Sequence, residues 1–267
     1  MERNLLLTIE YDGTNFSGWQ RQKKARTVQG EIEKKLSIIC KQPITLNGTS
    51  RTDAGVHALA QKATFSGEFG IPTDKIKEVL NNLLSGGLET HGKYSDIKIT
   101  KVEEMPPRFH ARFDSKGKKY KYIIDNSGER DTFRRNYCYL IKPPLDVVAM
   151  KDAARYIEGT HDFSCFQSPG GTPREITERT IYYVDVYRND DDVIIEIEGN
   201  GFLYNMVRII TGTLIEVGLG KRDPMDTASI IASKDRQRAG HTAPAQGLYL
   251  VDIFFESKEE RDGKENG

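Results

Sequence analysis

Between Leu5 and Glu104 the chain reads strand, helix, strand, strand, helix, strand, an order that few folds accommodate. Leu5 to Tyr11 alternates apolar and polar residues at its core and predicts a strand. Val28, Ile32, Leu36 and Ile39 recur at helical spacing, so Val28 to Cys40 predicts a helix, with Thr27 as cap and Gly30 as a small penalty. Two strand-like segments, Ile44 to Asn47 and Ala58 to Phe65, flank a loop of small residues. Thr73 to Leu84 predicts a second helix, capped by Thr73 or Asp74, and Asp96 to Glu104 alternates again. This is the split βαβ arrangement.

Met105-Pro106-Pro107 punctuates the chain and marks the expected boundary between a first domain, 1–104, and a second, 105–256. In the second, Lys119 to Asp125, Thr180 to Arg188, Val193 to Glu198 and Leu248 to Phe255 predict strands. Asp146 to Glu158, Leu203 to Val217 and Pro224 to Ser233 predict helices, with Asp223 as cap of the last. The expected fold class is α+β. It has two domains, each a mostly antiparallel sheet with helices packed on it (ferredoxin- or RRM-like halves), and an active-site cleft between them. The polar run after Ser257 predicts a disordered tail over 257–267.

Hydrophobic residues make up 37% and charged residues 29% of the 267. That is the balance of a soluble globular protein. No apolar run approaches the roughly 20 residues that span a bilayer, and the N-terminus leads directly into a strand pattern without a signal peptide. Cys40, Cys138 and Cys165 lie far apart and match no metal spacing. The expectation is a cytoplasmic protein with reduced, buried thiols, no bound metal and no membrane contact. Formal net charge is zero, but it is unevenly spread. Residues 108–135 carry nine Arg or Lys against four acids, and 20–35 carry six against two. Six acids fall between Asp185 and Glu198. Such polarity either leaves one face positive, ready for a polyanion, or decorates two solvated faces.

The loop itself, Ser50-Arg51-Thr52-Asp53-Ala54-Gly55-Val56-His57-Ala58-Leu59-Ala60, places an Arg and an Asp two residues apart among small residues. Backbone and one carboxylate can thereby approach a ligand closely. Taken alone, Asp53 is also an ordinary loop acid satisfying neighbouring amides.

The stretch resembles the active-site motif of the TruA family of tRNA pseudouridine synthases, and other segments resemble that family in order. They are Tyr11-Asp12-Gly13-Thr14-Asn15-Phe16-Ser17-Gly18-Trp19-Gln20-Arg21-Gln22, Phe109-His110-Ala111-Arg112-Phe113 with Lys119-Tyr120-Lys121-Tyr122, Gly159-Thr160-His161-Asp162-Phe163, Asn205-Met206-Val207-Arg208, and Thr242-Ala243-Pro244-Ala245-Gln246-Gly247-Leu248. Ser50 departs from the glycine common there. The resemblance implies an enzyme that converts uridine to pseudouridine in the tRNA anticodon stem-loop, at positions 38 to 40. It implies a homodimer, working without a cofactor, with tRNA as partner.

It also implies roles. Asp53 is the catalytic carboxylate, able to attack the sugar carbon, add to the uracil ring or abstract a ribose proton. Arg208, a charge within the apolar stretch 203–217, needs a partner and is expected to pair with Asp53. Tyr120 stacks on the extruded base or relays a proton. Arg51 reaches into the RNA to displace the base, and Leu248 lines an apolar pocket; core packing explains Leu248 nearly as well. Tyr122 reads as core, and His57 and His110 as positioning residues or phosphate contacts rather than catalysts. Arg21, Arg112, Lys118, Lys119 and Lys121, drawn from the two basic segments, are the candidate grip on the RNA backbone. Two rivals stand beside this reading. A carboxylate-dependent RNA glycosidase would need a second acid, which Asp12 or Asp162 would supply. An inactive RNA-binding paralogue would keep the fold without the chemistry.

Overall fold

The computed structural model describes residues 2–86, 95–170 and 176–265, organised as two compact units. The first comprises residues up to Ser115 together with Leu250–Phe255. Its elements are β1 (Arg3–Tyr11), α1 (Val28–Cys40), β2 (Asn47–Gly48), β3 (His57–Gly67), α2 (Thr73–Leu84) and β4 (Ile97–Met105). β1 pairs antiparallel with β3 and with β4, with register Leu7 to Ala63 on one side and Leu7 to Val102 on the other. Leu5, Leu7 and Ile9 are fully buried, as are Ile32 and Leu36 of α1 and Ile76 and Leu80 of α2. Both helices therefore pack their apolar stripes into one core. Thr27 caps α1 as expected, accepting from the Gly30 amide at 3.3 Å, and so satisfies a donor the helix cannot. The cap expected of α2 is replaced by Pro72, without a side-chain bond. The Thr73 hydroxyl instead donates to Glu104 at 2.7 Å and accepts from Arg3, so a long-range ion pair has claimed it.

The second unit comprises residues 116–249 and the chain after Phe255. It contains β5 (Gly117–Asp125), β6 (Tyr139–Leu140), α3 (Val147–Arg155), β7 (Gly159–Asp162), β8 (Glu178–Asn189), β9 (Asp192–Gly199), α4 (Met206–Gly218), α5 (Asp226–Ser233), the start of β10 (Leu248–Phe254) and α6 (Lys258–Glu265). The strands run β5-β9-β8-β7, antiparallel throughout, with β6 adding a short parallel pairing to β5. Alternation sends Tyr120, Tyr122 and Ile124 of β5 to the face shared with Ile197, Ile195 and Val193 of β9, all buried. Asp146 caps α3 through the Ala149 amide at 3.0 Å. α4 begins at Met206, later than expected, because Asn205 enters it left-handed at φ 60°. Asp223 does not cap α5: its carboxylate takes the Met225 amide at 2.8 Å, just before that helix. Among the described residues no helix is long and apolar enough to cross a membrane.

The mixed α+β class and the antiparallel pairing agree with the sequence; the division and the tail do not. The first unit ends at Ser115 rather than 104, because the Asn4 side chain donates to the carbonyls of Pro106 and Phe109 and the Phe109 ring meets Phe255 edge-on. Most of β10 returns to that unit beside β3, where the sequence placed it in the second domain. The tail predicted as disordered is helical over Lys258–Glu265. Ser257 and Glu260 form a reciprocal capping box. The Glu260 amide donates to the Ser257 hydroxyl at 3.2 Å, and the Ser257 amide to the Glu260 carboxylate at 2.7 Å. Arg261 then pairs with buried Glu198. The last two residues of that expectation, 266 and 267, lie outside the described residues.

Candidate active site

The loop ahead of β3 is held from both sides. Gln61, fully buried, bonds both polar groups of the Ser50 backbone, accepting from its amide at 3.3 Å and donating to its carbonyl at 2.8 Å. The Thr52 carbonyl accepts from the Trp19 amide at 3.1 Å, and its hydroxyl shares a hydrogen bond with Tyr11 at 2.7 Å. The Asp53 carbonyl accepts from the Val56 amide, closing a turn that Gly55 completes at φ 81°, a conformation that glycine adopts without a steric cost. Gly18, at φ 89°, lies against this turn; a Cβ there would stand 2.7 Å from the Thr52 carbonyl oxygen. His57 is buried and accepts the Gly13 amide at Nδ1, 3.1 Å away. The same Nδ1 lies 3.2 Å from Asp12. The Asp53 backbone is therefore fixed by the segment from Tyr11 to Trp19, while its side chain is half-buried and Arg51 is exposed. That is the arrangement of a carboxylate presented on a preset backbone.

In the second unit, Tyr120 is buried on the inner face of β5, with Phe202 edge-on at 5.1 Å. Tyr122 is core: its hydroxyl donates to the Pro244 carbonyl at 2.7 Å, and Gly247 packs flat against its ring. Burial drives its phenol far above the usual range. Arg208 lies in the first turn of α4. Its Nε donates to the Ala243 carbonyl at 2.7 Å, its Nη1 to the Asn205 side chain at 2.8 Å, and its own carbonyl accepts the Ala243 amide at 3.0 Å. The segment 240–243 continues along the helix. Thr213 accepts the Gly240 amide at 2.9 Å, a Cβ on Gly212 would stand 1.9 Å from the His241 carbonyl oxygen, and Glu216 accepts the His241 amide at 3.1 Å. Leu248, buried at the head of β10, follows directly from this strapped segment.

The candidate RNA-gripping cations are not equivalent. Arg21 is spent on Glu33, 3.0 Å away and buried. Burial opposes the charge of Lys119, but its bonds to Glu196 at 2.6 Å and to Tyr183 outweigh that and raise its pKa, since both favour the ammonium form. Lys119 and Lys121 lie on the face of β5 opposite Tyr120, Lys121 beside the Tyr249 ring, whereas Lys118 shares the Tyr120 face. Arg112 is exposed and has no ion pair or hydrogen bond from its guanidinium among the described residues. Sequence reading passed over Gln61 and Glu216, polar positions inside apolar elements, which is the signal that would have found them. Among the described residues no group of three or more His, Cys, Asp or Glu is placed to hold a metal ion.

A family model described as tRNA pseudouridine synthase matches residues 7–114 and 153–256. The chain belongs to that family. The tRNA pseudouridine synthase A of Ruminiclostridium cellulolyticum is 50% identical over 254 residues, covering 95% of this chain and 100% of that protein. The tRNA pseudouridine synthase A 2 of Clostridium tetani is 48% identical over 257 residues, 96% and 100% of the two chains. The tRNA pseudouridine synthase A of Brevibacillus brevis is 46% identical over 253 residues, 95% and 100%. Membership makes the chain an isomerase, a pseudouridine synthase. Arg51 and Asp53 fall in the first matched segment of this synthase, Arg208 and Leu248 in the second, and Tyr120 in the interval between them.

Proposed function

We propose that this synthase acts on uridines 38 to 40 of the tRNA anticodon stem-loop and that Asp53 is its catalytic carboxylate. The reaction cleaves the bond from the ribose C1′ to N1 of uracil, turns the base and joins C1′ to C5; C5 loses its proton and N1 gains one, so the product is an isomer of the substrate. A carboxylate serves the electron-poor C1′ or removes a neighbouring proton. The observation that carries the choice of Asp53 is its backbone, fixed by Tyr11, Gly18 and Trp19 while the side chain remains half-buried. Arg208 orients that carboxylate, Tyr120 stacks on the extruded base, Leu248 supplies an apolar wall, and Arg51 displaces the base from the stem. Arg112 and Lys118 grip the backbone. Arg21, Lys119 and Lys121 contribute less, since the first two already neutralise acids and the last shares the outer face of β5. The enzyme works in the cytoplasm as a homodimer.

The test is to incubate the protein with an unmodified tRNA transcript and map pseudouridine, with Asp53→Asn as control. Wild type should modify the anticodon stem-loop, and Asp53→Asn should lose about four orders of magnitude in rate while still binding. Full activity in Asp53→Asn overturns the assignment, and release of free uracil would instead favour glycoside cleavage.

A further inference from the structure

The turn over residues 106–114, in the first unit, presents an aromatic surface that packing does not explain. Phe113 is 73% exposed, although burying such a ring is favourable. It is not a loose side chain on a loose loop. The Phe113 and Asp114 amides both donate to the His110 carbonyl at 3.0 Å, and the Asp114 carboxylate returns to the His110 amide at 2.7 Å. The Arg112 amide donates to His110 Nδ1 at 3.2 Å, which fixes the imidazole, and that ring lies 4.3 Å from the Phe113 ring at 34°. Beneath them Ala111 is fully buried, the Asn4 side chain holds the Pro106 and Phe109 carbonyls, and Phe109 packs on Phe255. Two arginines belong to the same turn. Arg108 and Arg112 are both exposed, and neither guanidinium has a hydrogen-bond or ion-pair partner among the described residues. The one acid in the turn, Asp114, is directed inward to the His110 amide.

A rigid aromatic face backed by a second ring, in one turn with two uncompensated guanidinium groups, fits an unpaired nucleotide. The base stacks on the ring and the phosphates on either side meet the cations. A protein partner would demand a larger apolar patch than one ring in a turn that also carries two cations. We propose that Phe113, supported by His110, is a stacking platform for an unpaired base of the RNA substrate, with Arg108 and Arg112 on the adjoining phosphates. This rests on the reading of the chain as an enzyme acting on tRNA, and adds to it a nucleotide-binding surface apart from the Asp53 loop in sequence.

The test measures binding of the full chain to an unmodified tRNA transcript across a salt series, for wild type, Phe113→Ala, Phe113→Trp, Arg108→Gln and Arg112→Gln. Pseudouridine is mapped in the same preparations, and sedimentation gives the oligomeric state without RNA. Phe113→Ala should weaken binding roughly tenfold, Phe113→Trp should restore it, and each arginine variant should reduce the salt slope by about one. Because Phe113 is exposed, its truncation leaves no cavity, and an unchanged melting curve for Phe113→Ala separates lost stacking from lost fold. A wild type that forms pseudouridine while Phe113→Ala binds as tightly as it does sinks the platform alone. Failure of Phe113→Trp to rescue sinks it too, as does a change of oligomeric state in Phe113→Ala, which would make the surface a contact between copies. A wild type that neither binds tRNA nor forms pseudouridine removes the underlying reading first.

Discussion

The hydroxyl groups of Tyr11 and Thr52 share a single hydrogen bond, 2.7 Å between oxygens, with both residues buried. Forty-one residues apart in sequence, they tie the end of β1 to the peptide that precedes Asp53. Tyr11→Phe keeps the ring and deletes the bond, stranding the Thr52 hydroxyl in a site closed to water. Denaturant melts should show a loss of about 1–2 kcal/mol. Pseudouridine formation should fall further than that loss of folded protein explains, because the Asp53 backbone loses a restraint. A variant with unchanged kcat would show that the bond only stabilises.

The glycines around this loop separate close approach from open space. A Cβ on Gly13 would stand 2.0 Å from the Val56 carbonyl oxygen, and backbone cannot yield as a flexible side chain does. Gly13→Ala should destabilise the protein by about 3 kcal/mol and lower Tm by roughly 10 °C. Gly70, also in the first unit, has nothing within 4 Å of the same position. Gly70→Ala should therefore be neutral or slightly stabilising, through the reduced freedom of the unfolded chain. Calorimetry of the two variants side by side decides whether proximity, rather than glycine removal in general, is the cause.

Where an element depends on neighbours in sequence, the sequence displayed it. Thr27 and Asp146 are caps read from their position before a helical stripe, and the alternation of Leu5 to Tyr11 and of Lys119 to Asp125 became β1 and β5. Where it depends on distant partners, the sequence was silent. Thr73 has a cap residue's chemistry, but Arg3 and Glu104 take its hydroxyl. Pro106-Pro107 has the composition of a linker, but Asn4 binds the carbonyls on either side of Arg108. The capping pair of Ser257 and Glu260 is local, but the polar composition of the run around it is also that of a disordered tail. At the candidate site, the small residues around Asp53 mark only a loop that can approach a ligand, and the family resemblance singles out its carboxylate; its frame, built by Tyr11, Gly13, Gly18 and Gln61, rests on contacts that no spacing encodes.

Glu216 gives a pH-dependent test of the strap on α4. Burial works to raise its pKa, but the Arg222 guanidinium at 2.6 Å and the donors of His241 outweigh it and hold the carboxyl below the ordinary value, because both favour the charged form. A depressed folded-state pKa means the stabilisation is present above the unfolded value of about 4.3 and vanishes as pH falls through the lower, folded one. Glu216→Gln should therefore be less stable than wild type at neutral pH, by about 1 kcal/mol given its partial exposure. The gap should close in acid. Urea melts at both ends of that range check the sign; a gap that widens in acid would contradict it.

The three cysteines should be silent in the native protein. All are buried, and burial pushes the Cys165 thiol up to about 12 and Cys138 up to about 11. Almost no thiolate then remains at neutral pH to act as nucleophile. A chromogenic thiol reagent should titrate three groups in denaturant and react with the folded protein only at the rate of its opening. Rapid stoichiometric labelling of Cys165 without denaturant would show that the packing around Phe163 and Phe166 is open.

Arg208 distinguishes charge from geometry. Its guanidinium donates in two directions at once, from Nε to the Ala243 carbonyl and from Nη1 to Asn205, so it fixes both the start of α4 and the segment leading to Leu248. Lysine keeps the charge but offers a single ammonium, which cannot reproduce that planar fork. Arg208→Lys should therefore lower kcat by about a hundredfold with a smaller change in KM. Hydrogen exchange should rise at the Ala243 amide, whose acceptor is the Arg208 carbonyl. If charge alone mattered, the variant would retain most of its rate. If the residue were only a strap, exchange would rise while kcat held. Loss of both together is the result expected of a side chain that carries its segment and also takes part in the reaction.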